Sequence, residues 1–141
     1  MRRDRLYILA GLVIMVTFMS CSGFNKLLKS TDNEKKYQAA MSYYEKKDYN
    51  RALQLFDVLQ AAYRGKPEGE RMAYYTAESY YNMKDYEIAS HYYKRYVVNY
   101  PFAKDAEGAL FRSAYCYYLE SPNISLDQTN SRTAISEFQN F

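Results

Sequence analysis

The sequence predicts an all-α protein built from repeated pairs of helices. The stretch Ala40–Ala52 reads AMSYYEKKDYNRA and the stretch Ala77–Ala89 reads AESYYNMKDYEIA, so eight of thirteen positions are identical at a separation of 37 residues. Repetition with a period of about 20 to 50 residues is typical of a solenoid. The 141 residues include only three prolines and five glycines, so few positions interrupt helices, and 18 tyrosines supply large side chains for a packed array.

The first helix of each unit pairs a small residue with an aromatic residue three positions later. This spacing places both side chains on one helical face. The small residue allows a neighbouring helix to approach closely, and the ring fills the space beside it. The three pairs are Ala40 with Tyr43, Ala77 with Tyr80, and Ala114 with Tyr117.

The tripeptide Lys-Asp-Tyr, at residues 47–49 and 84–86, predicts the turn between two helices. Lysine is favourable at the end of a helix, and aspartate is favourable as the N-cap of the next one. The second helix then carries an apolar stripe at spacings of three, four and seven. Its members are Ala52, Leu55, Phe56 and Leu59 in the first unit and Ala89, Tyr92, Tyr93 and Tyr96 in the second. Each unit is therefore predicted to be a helical hairpin, with helices over residues 33–46, 49–63, 69–83, 86–99 and 103–120.

The third unit has a longer connection between its two helices. Pro122 interrupts the helix that contains Ala114, and a new helix is expected from near Thr129. Its Ala134 lies 45 residues after Ala89, so eight residues (45 − 37) are inserted relative to the second unit. This last helix is still apolar at Phe141 and has no stop signal. Because solenoids need polar terminal caps, we expect the chain to be the N-terminal part of a longer array.

The N-terminus has the pattern of a targeting segment. Arg2, Arg3 and Arg5 precede residues 6–19, an uncharged run of fourteen residues (19 − 6 + 1). A membrane-spanning helix needs about 20 residues, so this run favours the core of a signal peptide over residues 1–20.

A small residue stands directly before Cys21 at the end of this run. Ser20-Cys21 resembles a bacterial lipoprotein signal, in which the cysteine sulfur is acylated and the chain is cut just before it. Phe18 and Met19 depart from that signal, and the alternatives are a short membrane anchor or an ordinary signal peptide with an incidental cysteine. The resemblance implies lipidation of Cys21. By the same resemblance, Ser22 after it favours the outer membrane, and the lack of an acidic cluster in residues 22–32 favours its periplasmic face.

Residues 21–32 are predicted to be a tether that carries the lipidated cysteine. Phe24, Leu27 and Leu28 form a short apolar patch within it. This patch is either a piece of helix that contacts the first repeat or part of an unstructured linker.

Charge and motifs argue against nucleic-acid binding and against catalysis. The net charge is +3, of which residues 1–20 contribute +2, which leaves about +1 for the remainder. The chain has one histidine, His91, and, apart from Cys21, one cysteine, Cys116, without the spacings of a metal site. It contains no phosphate loop and no nucleophile motif. We therefore expect no enzyme activity, no cofactor, no metal and no nucleic-acid partner.

The repeat unit resembles the tetratricopeptide repeat. With units that start at Asn33 and Glu70, alanine stands at the eighth and twentieth places, tyrosine at the eleventh and an aromatic residue at the twenty-fourth. The resemblance implies a right-handed superhelix of hairpins, with repeats over 33–69, 70–106 and 107–141. The usual period is about 34 residues. The extra residues are therefore expected in the turns 64–69 and 101–104.

The whole layout resembles the BamD family of lipoproteins from the outer-membrane β-barrel assembly machinery. The shared features are the lipoprotein start, the tether, and the insertion in the third unit followed by D-Q-T and A-I-S-E-F. The tyrosine content and the loose cysteine motif are similar to Bacteroides-type members. The resemblance implies a non-catalytic scaffold whose partners are the barrel-forming subunit and unfolded outer-membrane β-barrel proteins. The alternative is a structural tetratricopeptide lipoprotein that coordinates envelope or cell-wall assembly.

A second aromatic row runs along the first helices of the three units. The spacing of four and three places its members on one face of each helix, and the tetratricopeptide resemblance implies that this face lines the inner groove. Aromatic rings and hydroxyls suit peptide binding, and the alternative is that the rings only pack repeat against repeat. The candidate groove consists of Tyr37, Met41, Tyr44, Arg71, Tyr74, Glu78, Tyr81, Phe111, Tyr115 and Tyr118.

Overall fold

The computed structural model describes residues 23–140, and all regular structure in that range is helical. Six helices form three successive hairpins, and each helix packs chiefly against its neighbours in the chain. This is a tetratricopeptide-like helical solenoid, which confirms the predicted fold class. The helices are α1 (Asn33–Glu45), α2 (Tyr49–Tyr63), α3 (Pro67–Asn82), α4 (Tyr86–Asn99), α5 (Ala106–Leu119) and α6 (Thr129–Gln139).

Two helices begin at residues other than those predicted. α3 begins at Pro67 rather than residue 69, because proline has no backbone N–H to lose and its fixed φ suits the first helical position. α5 begins at Ala106 rather than residue 103, because residues 101–105 form consecutive turns. In these turns Ala103 donates its N–H to the Tyr100 carbonyl at 3.1 Å, and Ala106 donates to the Ala103 carbonyl at 3.0 Å.

The Lys-Asp-Tyr tripeptide ends one helix and begins the next. Lys47 and Lys84 have positive φ values of 61° and 67°, the left-handed conformation that closes many helices. After α1, the Asp48 N–H donates to the Tyr43 carbonyl and the Lys47 N–H donates to the Tyr44 carbonyl, both at 2.9 Å. These two bonds define a Schellman turn, which satisfies carbonyl groups that the helix end leaves without partners. The hairpin turn is therefore encoded locally.

The core is divided between the hairpins. One buried cluster joins α1 and α2 to Met72 of α3, and the other joins α3 and α4 to Cys116 of α5. The small residues predicted at helix contacts are all buried, which lets the helices approach closely. They are Ala40, Ala52, Ala77, Ala89, Ala114 and Ala134.

The apolar patch before the first repeat belongs to the fold. Residues 23–28 are helical, and Phe24 is buried with its ring edge-on to Tyr43 at 5.6 Å. The Arg51 guanidinium lies 5.7 Å from the centre of the Phe24 ring. Of the two alternatives for this patch, contact with the first repeat is thus confirmed. The predicted signal peptide and Cys21 lie outside the described residues.

Candidate peptide-binding site

The first unit uses its candidate groove residues mainly for packing. Tyr37 is buried, and its ring centre lies 5.4 Å from that of Tyr63. Met41 packs against the first core cluster. Tyr44 of α1 stacks on Tyr75 of α3 with ring centres 4.3 Å apart, so it joins two hairpins. Tyr37 therefore packs within its own hairpin, and Tyr44 is the residue of this unit that packs repeat against repeat.

The second unit has half-buried tyrosines and one exposed cation. The ring centre of Tyr74 lies 6.3 Å from that of Tyr93 and 5.3 Å from that of Tyr96. The ring centre of Tyr81 lies 6.4 Å from that of Tyr93 as well, so the buried Tyr93 ring contacts both candidate residues. Arg71 is exposed near the start of α3. The rings of Tyr74 and Tyr81 therefore pack α3 against α4, and part of each ring remains exposed to solvent.

Glu78 occupies the centre of this face and is bonded within the protein. Its carboxylate accepts a 2.5 Å hydrogen bond from the Tyr93 hydroxyl and lies 3.1 Å from Nη1 of Arg112. The Arg112 guanidinium lies 5.3 Å from the centre of the Tyr81 ring. We call Glu78, Tyr93 and Arg112 the Glu78 network. It joins α3, α4 and α5.

Sequence reasoning missed Arg112. A signal for it exists, because Arg112 is the only basic residue of α5, whose sequence is otherwise mainly apolar. A cation in that setting needs an acidic partner from another helix. The partner, Glu78, is on α3, 34 residues earlier in the chain, which no local pattern indicates.

The third unit presents the most exposed part of the candidate groove. Phe111 is 45% exposed and Tyr118 is 58% exposed. Tyr115 stands between them, with ring centres 6.1 Å from Phe111 and 5.6 Å from Tyr118 and nearly parallel planes in both pairs. We call Phe111, Tyr115 and Tyr118 the α5 aromatic column. It is a continuous stack of rings on one helix face.

Burial raises the pKa of several side chains near the groove. Tyr74 and Tyr96 each have a pKa raised to about 12, chiefly because burial disfavours the charged phenolate. Burial also raises the pKa of the Cys116 thiol to about 12. The pKa of Tyr93 is raised by burial and then by its hydrogen bond to Glu78. All four groups remain neutral in the folded chain well above their ordinary titration range.

We expect this chain to lose stability steeply in alkali. Above about pH 10 the tyrosines of the unfolded chain lose protons while the buried ones keep theirs, so the free energy of unfolding must fall as pH rises. Between about pH 7 and pH 9 the buried tyrosines should not change the free energy of unfolding. Helical circular dichroism and tyrosinate absorbance, followed together against pH, check this. Ionisation of all 18 tyrosines near pH 10 in a chain that stays fully helical would contradict the assignment.

A separate cleft of about 630 Å³ lies between α2, α3 and α4. Its lining includes Phe56, Gln60 and Arg64 from α2 and its end, Met72 from α3, and Arg95 and Asn99 from α4. None of the ten candidate groove residues lines it. The cleft is thus distinct from the groove that the sequence predicts.

Fold and site together define a helical-repeat protein with a partly exposed aromatic face on α5. Within residues 23–140 no three His, Cys, Asp or Glu side chains cluster in a way that could hold a metal ion. In the same range no helix combines the length and the apolar character needed to cross a membrane.

The chain belongs to the outer membrane lipoprotein family YfiO, which matches residues 29–141. This BamD-like family consists of non-catalytic lipoprotein scaffolds, so the resemblance predicted from the sequence is confirmed at the level of the family. Membership also supports an outer-membrane location. No curated protein matches the chain.

Proposed function

We propose that this chain is a scaffold subunit of the β-barrel assembly machinery that binds unfolded outer-membrane β-barrel proteins and the barrel-forming subunit. Its membership of the outer membrane lipoprotein family over residues 29–141 carries the proposal. In this account residues 1–20 are a signal peptide, residues 21–32 carry the lipid and tether, and repeats span 33–69, 70–106 and 107–141. The Bacteroides-type origin belongs to the same proposal.

Lipid on Cys21 would hold the scaffold at the periplasmic face of the outer membrane. Each buried methylene contributes about 0.8 kcal/mol, and one acyl chain alone gives only marginal binding. A lipoprotein cysteine carries several chains, such as palmitate, so the attachment would be stable. The tether is short because helical residues 23–28 already contact the first repeat through Phe24. The solenoid would therefore stay close to the membrane where barrels are inserted.

The α5 aromatic column is the best candidate for client contact. Strands of membrane β-barrels alternate apolar and polar side chains and are rich in aromatic residues. Stacked rings offer a large, rigid apolar surface at low entropic cost, and tyrosine hydroxyls can bond a peptide backbone. Such a surface binds extended strands of many sequences. Tyr44 and Tyr81 are less suitable for a test, because both pack between helices and their loss would also affect folding.

Replacing Tyr118 with alanine should weaken binding of a synthetic peptide from a barrel strand about fivefold, or about 1 kcal/mol. Tyr118 is mostly exposed, so its ring contributes contact surface without filling the core. Fluorescence anisotropy with a labelled strand peptide measures the dissociation constant. The free energy of unfolding should stay within about 0.5 kcal/mol of the parent.

Ile88→Ala is the matched control, because Ile88 is also an exposed apolar side chain but lies on α4. We expect it to bind the strand peptide like the parent. If the Tyr118 variant and the parent bind the strand peptide equally and both are folded, the α5 aromatic column is not the binding surface.

A further inference from the structure

We propose that the cleft between α2, α3 and α4 binds an acidic, partly apolar segment of a partner protein. This site is separate from the aromatic groove, and the inference therefore goes beyond the proposed function. The cleft combines two arginines, two side-chain amides and an apolar floor. We call it the arginine cleft.

The arginines of the cleft are available for carboxylates. Arg64 follows the end of α2 and Arg95 lies on α4, and both are exposed. Neither forms an ion pair with any residue in the described part of the chain. The Arg95 guanidinium lies 4.9 Å from the centre of the Tyr92 ring. Stacking of this kind holds the guanidinium plane and leaves its edge N–H groups free to bind a carboxylate in a bidentate manner.

The positive charge of the cleft is local. Residues 1–20 account for +2 of the net charge of +3, so the remainder of the chain is almost neutral. No aspartate or glutamate lines the arginine cleft. Asp57 lines a smaller neighbouring cleft that shares Gln60 and Thr76 with it. A bound segment should therefore place its acidic side chains at the guanidinium groups of Arg64 and Arg95 rather than beside Asp57.

The floor and rim favour a protein segment over a small anion. Phe56 and Met72 are buried beneath the cleft and offer an apolar base. Gln60 and Asn99 are exposed at its walls, and their amides can each donate to and accept from a peptide backbone. A phosphate ion or lipid headgroup would satisfy the arginines but leave these apolar and amide groups unused.

The volume of the arginine cleft is consistent with a bound protein segment. About 630 Å³ is within the range of about 300 to 1,000 Å³ that holds ordered ligands in proteins. A short stretch of chain with an apolar side chain on the floor and carboxylates at the arginines fills it. The recognised chemistry is therefore an alternation of acidic and apolar residues.

The probe is a fluorescein-labelled peptide of alternating Glu and Leu, tested by anisotropy against the purified chain. We expect binding that weakens at least about tenfold, or about 1.4 kcal/mol, in the double variant Arg64→Glu with Arg95→Glu. The matched control is the double variant Lys35→Glu with Lys104→Glu, the same two charge reversals at exposed residues outside the cleft, which should change affinity less than about twofold. A peptide of alternating Lys and Leu should bind the arginine double variant better than it binds the parent.

Three results would overturn the proposal. The first is equal affinity of the parent and the arginine double variant for the Glu-Leu peptide, with circular dichroism showing both folded. The second is an equal loss in the double variant Lys35→Glu with Lys104→Glu, which would indicate general charge attraction. The third is displacement of the peptide by inorganic phosphate or anionic lipid vesicles at lower concentrations than by unlabelled peptide, which would assign the cleft to phosphate groups.

Discussion

Replacing Gly69 with alanine is expected to lower the free energy of unfolding by about 3 kcal/mol. A Cβ atom at Gly69 would lie 2.1 Å from the backbone oxygen of Tyr63 and 3.0 Å from its carbonyl carbon. Because both atoms belong to the backbone at the end of α2, no side-chain rotation can relieve the clash. Residues 64–66 alone connect α2 to α3, so the two helix ends have little freedom to separate.

Gly108→Ala is the matched control for this variant. Both glycines are the third residue of their helix and both follow a glutamate, but a Cβ at Gly108 has no atom within 4 Å. We expect Gly108→Ala to be neutral or to stabilise by up to about 1 kcal/mol, since alanine has the higher helix propensity. Urea denaturation measures both. Similar effects of the two substitutions would contradict the close approach of α2 to α3.

Replacing Glu78 with alanine should lower the free energy of unfolding by about 2 to 4 kcal/mol. The substitution leaves the buried Tyr93 hydroxyl without its acceptor and Arg112 without its carboxylate. Arg112 is partly exposed and can regain water, so the cost is below that of breaking a fully buried pair. Since the Glu78 network joins three helices, the loss should also broaden the unfolding transition.

Two further substitutions separate the contributions of charge and hydrogen bonding. Glu78→Gln keeps an oxygen that can accept from Tyr93 but removes the charge opposite Arg112, and we expect a loss of about 1 kcal/mol. Glu107→Ala removes an exposed carboxylate of α5 and should cost at most about 0.5 kcal/mol. If Glu78→Ala were as mild as Glu107→Ala, the network would not support the fold.

The sequence predicted the starts of α1, α2 and α4, each of which follows an aspartate cap at the turn before it. At the first of these caps the Asp32 carboxylate accepts from the Lys35 N–H at 2.9 Å. The inserted loop and the start of α6 at Thr129 also agree with the prediction. The late start of α5 was missed, because residues 101–105 form consecutive turns with local backbone hydrogen bonds, which the spacing of apolar residues does not indicate.

The candidate site was only partly predictable. Helical spacing places the ten residues on the first helices of the hairpins, but it cannot distinguish the buried Tyr37 from the exposed Tyr118. That difference depends on which neighbouring helix covers each ring. The arginine cleft was missed for the same reason, since its lining residues come from three helices and the turn after α2. Contacts that join distant parts of the chain leave no periodic trace in the sequence.

Photocrosslinking in the source cell tests the scaffold function most directly. A photoreactive amino acid at Tyr118 samples the α5 aromatic column, and the same residue at Ile88 samples the exposed face of α4. Mass spectrometry then identifies what each position captures. We predict that the Tyr118 position captures unfolded outer-membrane β-barrel proteins and that the Ile88 position does not. Capture of cell-wall assembly proteins in place of barrel proteins at Tyr118, or barrel proteins at both positions alike, would contradict the account.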